Sequence, residues 1–415
     1  MRAVFGAAAT GIVWIILILV FVLSPTLGSA SSVPALLLGL TLIPVLWWPE
    51  ALANIRRAPT QMIFVGVVVA LTIVFALTAR KPGDVLFFAN FLAMPLSALL
   101  FVIALARQGR AAAVIMARLC LCGAMVGLGF AFYDLFVRGL PRAQGLIGNP
   151  NLMPRLVLPL AFVALSGIFV DTGIRRWLYL LAPLAGIVTT VLTGSRGAAL
   201  AIPALLLIAA SFMLRDRQTR MIAIVGGALV VVAGLATLTL EHTELVERFM
   251  RVANSYGAVF TGDTTGDAAT DERLGMYNAG LAAFLQSPWI GWGWANLGNA
   301  AAAIRPEIFA GAAGTAFMFH NDAVNFGVAG GVVGLLCLLA LLVAPTIGAL
   351  ASPRDNFYAV RLYCCLQLSV GFAIFGLTDS TLGYDMPTTL YAFLAAIVLG
   401  AFRKPVAPSE GLARG

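Results

Sequence analysis

One candidate general base and a set of guanidinium groups are the reactive residues this chain offers, and they fall in four polar segments. The first is Phe317-Met-Phe-His320-Asn-Asp322. A neutral imidazole accepts a proton near neutral pH, so His320 is suited to take one from a hydroxyl. Asn321 or Asp322 beside it could fix its tautomer. The second, Thr193-Gly-Ser-Arg196-Gly197, is a very short turn between two apolar runs. Arg196 there either snorkels to a membrane interface or projects into a shared polar cavity. The small residues around it let backbones approach closely and favour the cavity. The third runs from Asp271-Glu-Arg273 to Pro288, with Leu274, Tyr277, Leu281, Phe284 and Leu285 at roughly helical spacing. This reads as an amphipathic helix at a membrane surface. Asp271 and Glu272 suit its positive N-terminal end, whereas Arg273 in the first turn opposes the dipole. An anion that it must meet, or its acidic neighbours, would account for that placement. The fourth is Arg142-Ala-Gln-Gly-Leu-Ile-Gly-Asn149-Pro-Asn151. Its asparagines read either as turn and N-cap residues or, with Arg142, as substrate contacts.

Outward arginines and one histidine suit transfer away from a lipid-linked diphosphate. The leaving group needs positive, multidentate donors, which guanidinium supplies, and the acceptor hydroxyl needs a base. Arg196 and Arg273 would serve the first need and His320 the second. The run Pro288-Trp-Ile-Gly-Trp-Gly-Trp294 adds Trp289, Trp292 and Trp294, which read as interface anchors or as platforms for sugar rings. No acidic pair has clear metal-ligand spacing and no cofactor motif is present, so neither a metal nor a cofactor is expected.

The elements that must position these residues are membrane helices. The chain is 61% hydrophobic and only 11% charged, where soluble domains carry about 25% charged residues. Apolar runs near 20 residues recur, at about 8–26, 34–48, 62–79, 86–106, 111–133, 156–170, 177–193, 197–213, 221–239, 323–346, 359–378 and 387–401. The expected fold is an all-α polytopic membrane protein with about 12 transmembrane helices, 1–415 forming a single integral membrane domain. One long outer loop, 241–320, holds both histidines and eight of the 18 acidic residues. With a cytoplasmic N-terminus, the inner side receives 15 basic against five acidic residues and the outer side ten against 13, Arg118 lying within a span. That bias obeys the positive-inside rule and puts both termini in the cytoplasm. The net charge of +8 does not mark a nucleic-acid binder, because the basic residues are scattered between apolar runs rather than clustered on a groove. Topology control and contact with membrane lipids fit that distribution. The first apolar run reads as an uncleaved span rather than a signal peptide. All five cysteines fall inside expected spans, so no disulfide is expected in the loop.

The segments Gly148-Asn-Pro-Asn151, Thr193-Gly-Ser-Arg-Gly-Ala198, Arg273 with Pro288 and Gly291-Trp-Gly293, and His320-Asn321 resemble the bacterial O-antigen ligase and O-antigen polymerase superfamily, over about 140–380. The resemblance implies a GT-C-like, metal-independent, inverting glycosyltransferase of the bacterial inner membrane, with its site on the periplasmic face. The donor would be a glycan on undecaprenyl diphosphate and the acceptor a lipid A-core hydroxyl or another glycan. It also implies that Arg196 and Arg273 hold the diphosphate and that His320 activates the acceptor, with Asn149, Asn151, Arg142, Trp289, Asn321 and Asp322 as further substrate contacts. Polymerases and protein O-glycosylating ligases share the same motifs, so acceptor choice stays open. A transporter or flippase, expected to carry paired charges or broken helices at midplane, is the alternative of another class.

Overall fold

The computed structural model describes residues 2–215, 217–239 and 268–404. Among these residues the secondary structure is helical, apart from one isolated bridge between Leu382 and Tyr384. Among the described residues ten helices are long and apolar enough to cross a membrane: α1 (Ala8–Leu27), α2 (Ser29–Trp47), α3 (Pro59–Thr78), α4 (Pro82–Ala106), α5 (Arg110–Val137), α6 (Met153–Val170), α7 (Gly173–Thr193), α8 (Arg196–Met213), α12 (Asp322–Leu350) and α13 (Tyr358–Thr378). The chain is thus a multi-pass α-helical membrane protein. Between these come α9 (Arg217–Thr239), α10 (Ala268–Gln286) and α11 (Leu297–Ile304), and α14 (Asp385–Ala401) follows. The ninth expected span falls in α9. The twelfth falls in α14, which is apolar but shorter than the ten. Of the long loop, 241–267 and with it His242 lie outside the described residues.

The bundle is built around α6 and α14. From Met386 to Ala401 every residue of α14 is buried, and 94% of the α6 span is buried. Small residues allow such close packing, as membrane helix pairs require. A Cβ at Gly123 would lie 1.8 Å from the Phe21 carbonyl oxygen, and one at Gly186 would lie 2.8 Å from the Ala161 methyl. The start of α13 is stapled by Arg361, which is fully buried and donates to Asp355 at 2.8 Å, to Ser352 Oγ at 2.9 Å and to the carbonyls of Pro353 and Phe402. The other end of α13, about 27 Å away at 1.5 Å per residue, carries the polar cluster described below.

Helix α12 is broken. Gly331 sits at φ 59°, ψ −145°, outside helical space, and the 288–293 loop fills the gap. Trp292 N donates to Val328 O at 2.7 Å and Gly293 N to Ala329 O at 2.9 Å, while Val332 N donates to Pro288 O at 2.7 Å. Three backbone groups that an intact helix would pair are therefore paired by the loop, the condition for irregular backbone in a membrane. Beyond the break, 332–350 runs about 28 Å, close to the ≈ 30 Å hydrocarbon core. The segment 322–330 is a separate cap on that span.

The tryptophans of this loop divide. Trp294 is buried among Phe75, Phe91 and Phe326 and is neither an anchor nor a sugar platform. Trp292 donates its indole N–H to Ala283 O and ties the loop to α10. Trp289 is 74% exposed and continues the exposed line of Leu281 and Leu285 on α10. That stripe is apolar and exposed, but the helix as a whole is not strongly two-faced, so the expected amphipathic surface helix is not borne out by its residue pattern. The small residues Ala279 and Ala283 turn inward. Helix α10 starts at Ala268, so Arg273 lies in its second turn rather than its first.

Candidate active site

Five helix ends meet on the side of the bundle where α7 ends and α8 begins: those two, the starts of α6 and α12, and the end of α13. Asp379 is the hub. It follows the last residue of α13, with its side chain 8% exposed. One carboxylate oxygen lies 2.5 Å from His320 Nδ1 and the other 2.8 Å from Arg155 Nη1. Arg155, from the first turn of α6, is 2% exposed, whereas the His320 ring is 40% exposed. The charge pair is therefore sealed on one side and presents an imidazole to the outside on the other.

Burial alone would raise the Asp379 pKa, but the hydrogen bond from His320 and the positive charge of Arg155 hold it well below the usual carboxylate range. An ionised Asp379 accepts from Nδ1–H, which leaves Nε2 of the exposed ring as the proton-accepting nitrogen. The backbone of His320 is fixed as tightly as its ring. Its φ of 53° is in the left-handed region, costly for a residue with a Cβ and concentrated at functional sites. Tyr277 of α10 donates to its carbonyl at 3.1 Å, and the preceding Phe319 N donates to Asn325 Oδ1 at 2.8 Å. Asn325 in turn donates to Ser380 Oγ at 2.7 Å, which closes a ring of hydrogen bonds back to Asp379.

The arginines approach this hub on two other elements. Arg273 lies one helical turn before Tyr277, on the same face of α10, near enough for its positive charge to repel that of Arg155. Arg196 opens α8 next to Gly197. A Cβ at Gly197 would come within 2.5 Å of Thr378 Oγ1 and 3.6 Å of Arg155 Nη2. Glycine there is what lets the Arg196 turn press against the end of α13. His320, Arg273 and Arg196, scattered over 125 residues of sequence, thus border one hub.

The other expected contacts are largely framework. Asn149 Oδ1 accepts from Asn151 N at 2.9 Å and Leu152 N at 3.2 Å, a turn that starts α6. Arg142 Nε donates to Thr193 O at 2.7 Å and its Nη2 to Asn151 Oδ1 at 3.1 Å, locking the 142–151 segment to the Arg196 turn. Asn321 caps α12 through Val324 N and donates to Leu377 O. Asp322 is 2% exposed, and its two oxygens accept from Thr381 N at 2.8 Å and Leu382 N at 3.0 Å. Neither Asn321 nor Asp322 fixes the histidine ring. Asp379 does so, and sequence reasoning missed it together with Arg155. Trp289 lies at the level of Gly331, roughly 15 Å along α12 from His320, and is not in the cluster. Among the described residues no three His, Cys, Asp or Glu side chains gather as a metal site would require.

With this geometry in hand, comparison with known proteins gives one result. Residues 179–339 match the O-antigen ligase family model. No curated protein matches the chain. The matched segment contains Arg196, Arg273 and His320 and supports assignment to the broad superfamily. It stops short of Arg155 on one side and Asp379 on the other, so the hub that orders the histidine lies outside it.

Proposed function

We propose that the chain is an O-antigen ligase-like glycosyltransferase. It moves a glycan from undecaprenyl diphosphate to a lipid A-core hydroxyl on the periplasmic face of the bacterial inner membrane. The observation that carries this reading is the His320–Asp379 contact at 2.5 Å beside the Arg196 turn, with the charge of Arg273 near enough to repel that of Arg155. The acceptor oxygen attacks the anomeric carbon as its proton passes to His320 Nε2. The bond from that carbon to the diphosphate oxygen breaks, and undecaprenyl diphosphate departs with the electron pair. Attack opposite the leaving group inverts the anomeric centre. Arg273 and Arg196 meet the negative charge that develops on the diphosphate, and ionised Asp379 stabilises the imidazolium formed in the same step.

Other candidate bases are less well placed. Asp322 spends both oxygens on backbone N–H groups, and Glu307 is paired with Arg305 at 2.5 Å on an exposed turn. A polymerase or a protein-glycosylating ligase would use the same chemistry with another acceptor. A transporter reading gains nothing from the break in α12, because the break is filled by the 288–293 loop rather than lining a cavity. The test is single-turnover transfer from a defined lipid-diphosphate glycan to competing acceptors, from about pH 5 to 9, for the wild type and His320→Gln. A base of this kind contributes about 10²–10⁴-fold, and the glutamine variant should lose that factor while still binding donor. Near-wild-type transfer with an unchanged acid limb would overturn the role of His320.

A further inference from the structure

At the end of the bundle away from His320, a cavity of about 180 Å³ opens between α6, α7, α8 and α9. Its walls are apolar: Leu165, Leu180, Leu206, Met213 and the backbone at Gly226. Gly226 makes the space, since a Cβ there would already sit 3.0 Å from Leu180 Cδ2. The adjoining sequence is strongly basic. Arg175 and Arg176 precede the helical turns of α7 that line the cavity, Arg215 follows α8, and Arg217 and Arg220 open α9, with Asp216 the one acidic residue of the 215–220 stretch. Arg175, Arg215, Arg217 and Arg220 are exposed. Arg176 Nε donates to Ile168 O at 2.6 Å and Arg220 Nε to Leu214 O at 3.1 Å. Those bonds hold two guanidinium groups within about one turn of the lining residues Leu180 and Ala223. The nearby carboxylate Asp171 is committed to Arg118 and to the Tyr179 hydroxyl.

An apolar crevice flanked at a helix-end level by arginines, two of them held by backbone bonds and four exposed, has the chemistry of one ligand class. We propose that it binds a single anionic phospholipid, its acyl chain in the crevice and its phosphate among the arginines. The glycan donor is a poor occupant. Its diphosphate belongs beside Arg196 and Arg273, at the opposite end of α7 and roughly 20 Å away. Only the exclusion of the donor rests on the proposed transfer reaction; the phospholipid site does not.

The experiment is native mass spectrometry of the full chain released from mild detergent, titrated with phosphatidylglycerol or with phosphatidylcholine. One phosphatidylglycerol should be retained in preference to phosphatidylcholine. Arg176→Gln with Arg220→Gln should weaken it about thirtyfold, from the attraction each surface arginine supplies. Gly226→Leu, which fills the crevice and leaves the charges, should weaken both lipids. His320→Gln should bind as the wild type does, so a failure of the transfer reading leaves this result standing. Equal retention of the two lipids overturns the proposal. So does indifference to all of these variants, or displacement of phosphatidylglycerol by an equimolar polyprenyl phosphate.

Discussion

Replacing Asp379 by asparagine separates the structural from the chemical role of the hub. The side chains of Arg155 and Asp379 are 2% and 8% exposed and meet at 2.8 Å. Removing the negative charge strands a buried guanidinium, a loss of about 3–5 kcal/mol in comparable buried pairs. The asparagine oxygen can still accept from His320 Nδ1–H, but its amide N–H groups then face the Arg155 donors. A neutral amide also cannot stabilise an imidazolium, so transfer should fall by about 10²–10⁴-fold. Adding Arg155→Met removes the stranded charge. The double variant should recover most of the lost stability, because an apolar replacement of a buried pair is often neutral, and it should recover none of the transfer. Thermal unfolding in nanodiscs and single-turnover transfer on the same preparations read the two quantities. If the double variant is no more stable than Asp379→Asn, the pair is not sealed as described. If transfer returns along with stability, the carboxylate acts only by holding the fold. The pH sign is fixed by the depressed pKa of Asp379: its contribution to stability is present above the unfolded carboxyl value near 4 and is lost as pH falls through the folded value. An acid limb of transfer above about pH 5 therefore does not belong to Asp379.

Arg196→Lys and Arg273→Lys should each impair donor use, since a point charge does not reproduce the guanidinium fork. A loss of about 2–5 kcal/mol is typical when a buried charged hydrogen-bonding partner is removed, and unchanged donor affinity and rate in both variants would exclude the diphosphate role. Gly331→Ala places a Cβ 2.4 Å from the Trp289 carbonyl carbon at a backbone conformation reserved for glycine. It should destabilise by at least about 1–3 kcal/mol from strain alone, measured as a lower unfolding temperature. Phe260→Cys and Glu410→Cys, in a background lacking Cys122, should label from opposite sides of the membrane, and labelling of both from the periplasm would refute the proposed sidedness.

The helices were legible because lipid demands long apolar runs, and every expected span from the first to the eighth, with the tenth and eleventh, overlaps a membrane-length helix. His320, Arg273 and Arg196 stood out because a polar residue beside such a run needs a reason. Arg155 and Asp379 carried the same signal more quietly. Arg155 lies four residues beyond Asn151, and Asp379 lies in Thr378-Asp-Ser-Thr381 at the end of a span on the side of His320. What hid them is that pairing is a property of space. Asp322, two residues beyond His320, turns away to serve backbone N–H groups, and Asp379, 59 positions beyond His320, takes its place. The tryptophan cluster misled for a related reason: one short motif supplies an exposed ring at Trp289, a tether at Trp292 and a core residue at Trp294.

The filled break in α12 constrains how the protein is made. Until the 288–293 loop docks, Val328 O, Ala329 O and Val332 N have no helical partner, and each such group left in hydrocarbon costs several kcal/mol. The loop is synthesised before α12 and reaches it only by folding back from the end of α10. The final seating of that span in the bilayer must therefore await the docking of the loop that follows α10. Biogenesis thus has an order written into it: the helix that carries Arg273 is delivered first, and the span that follows His320 locks against the loop behind it.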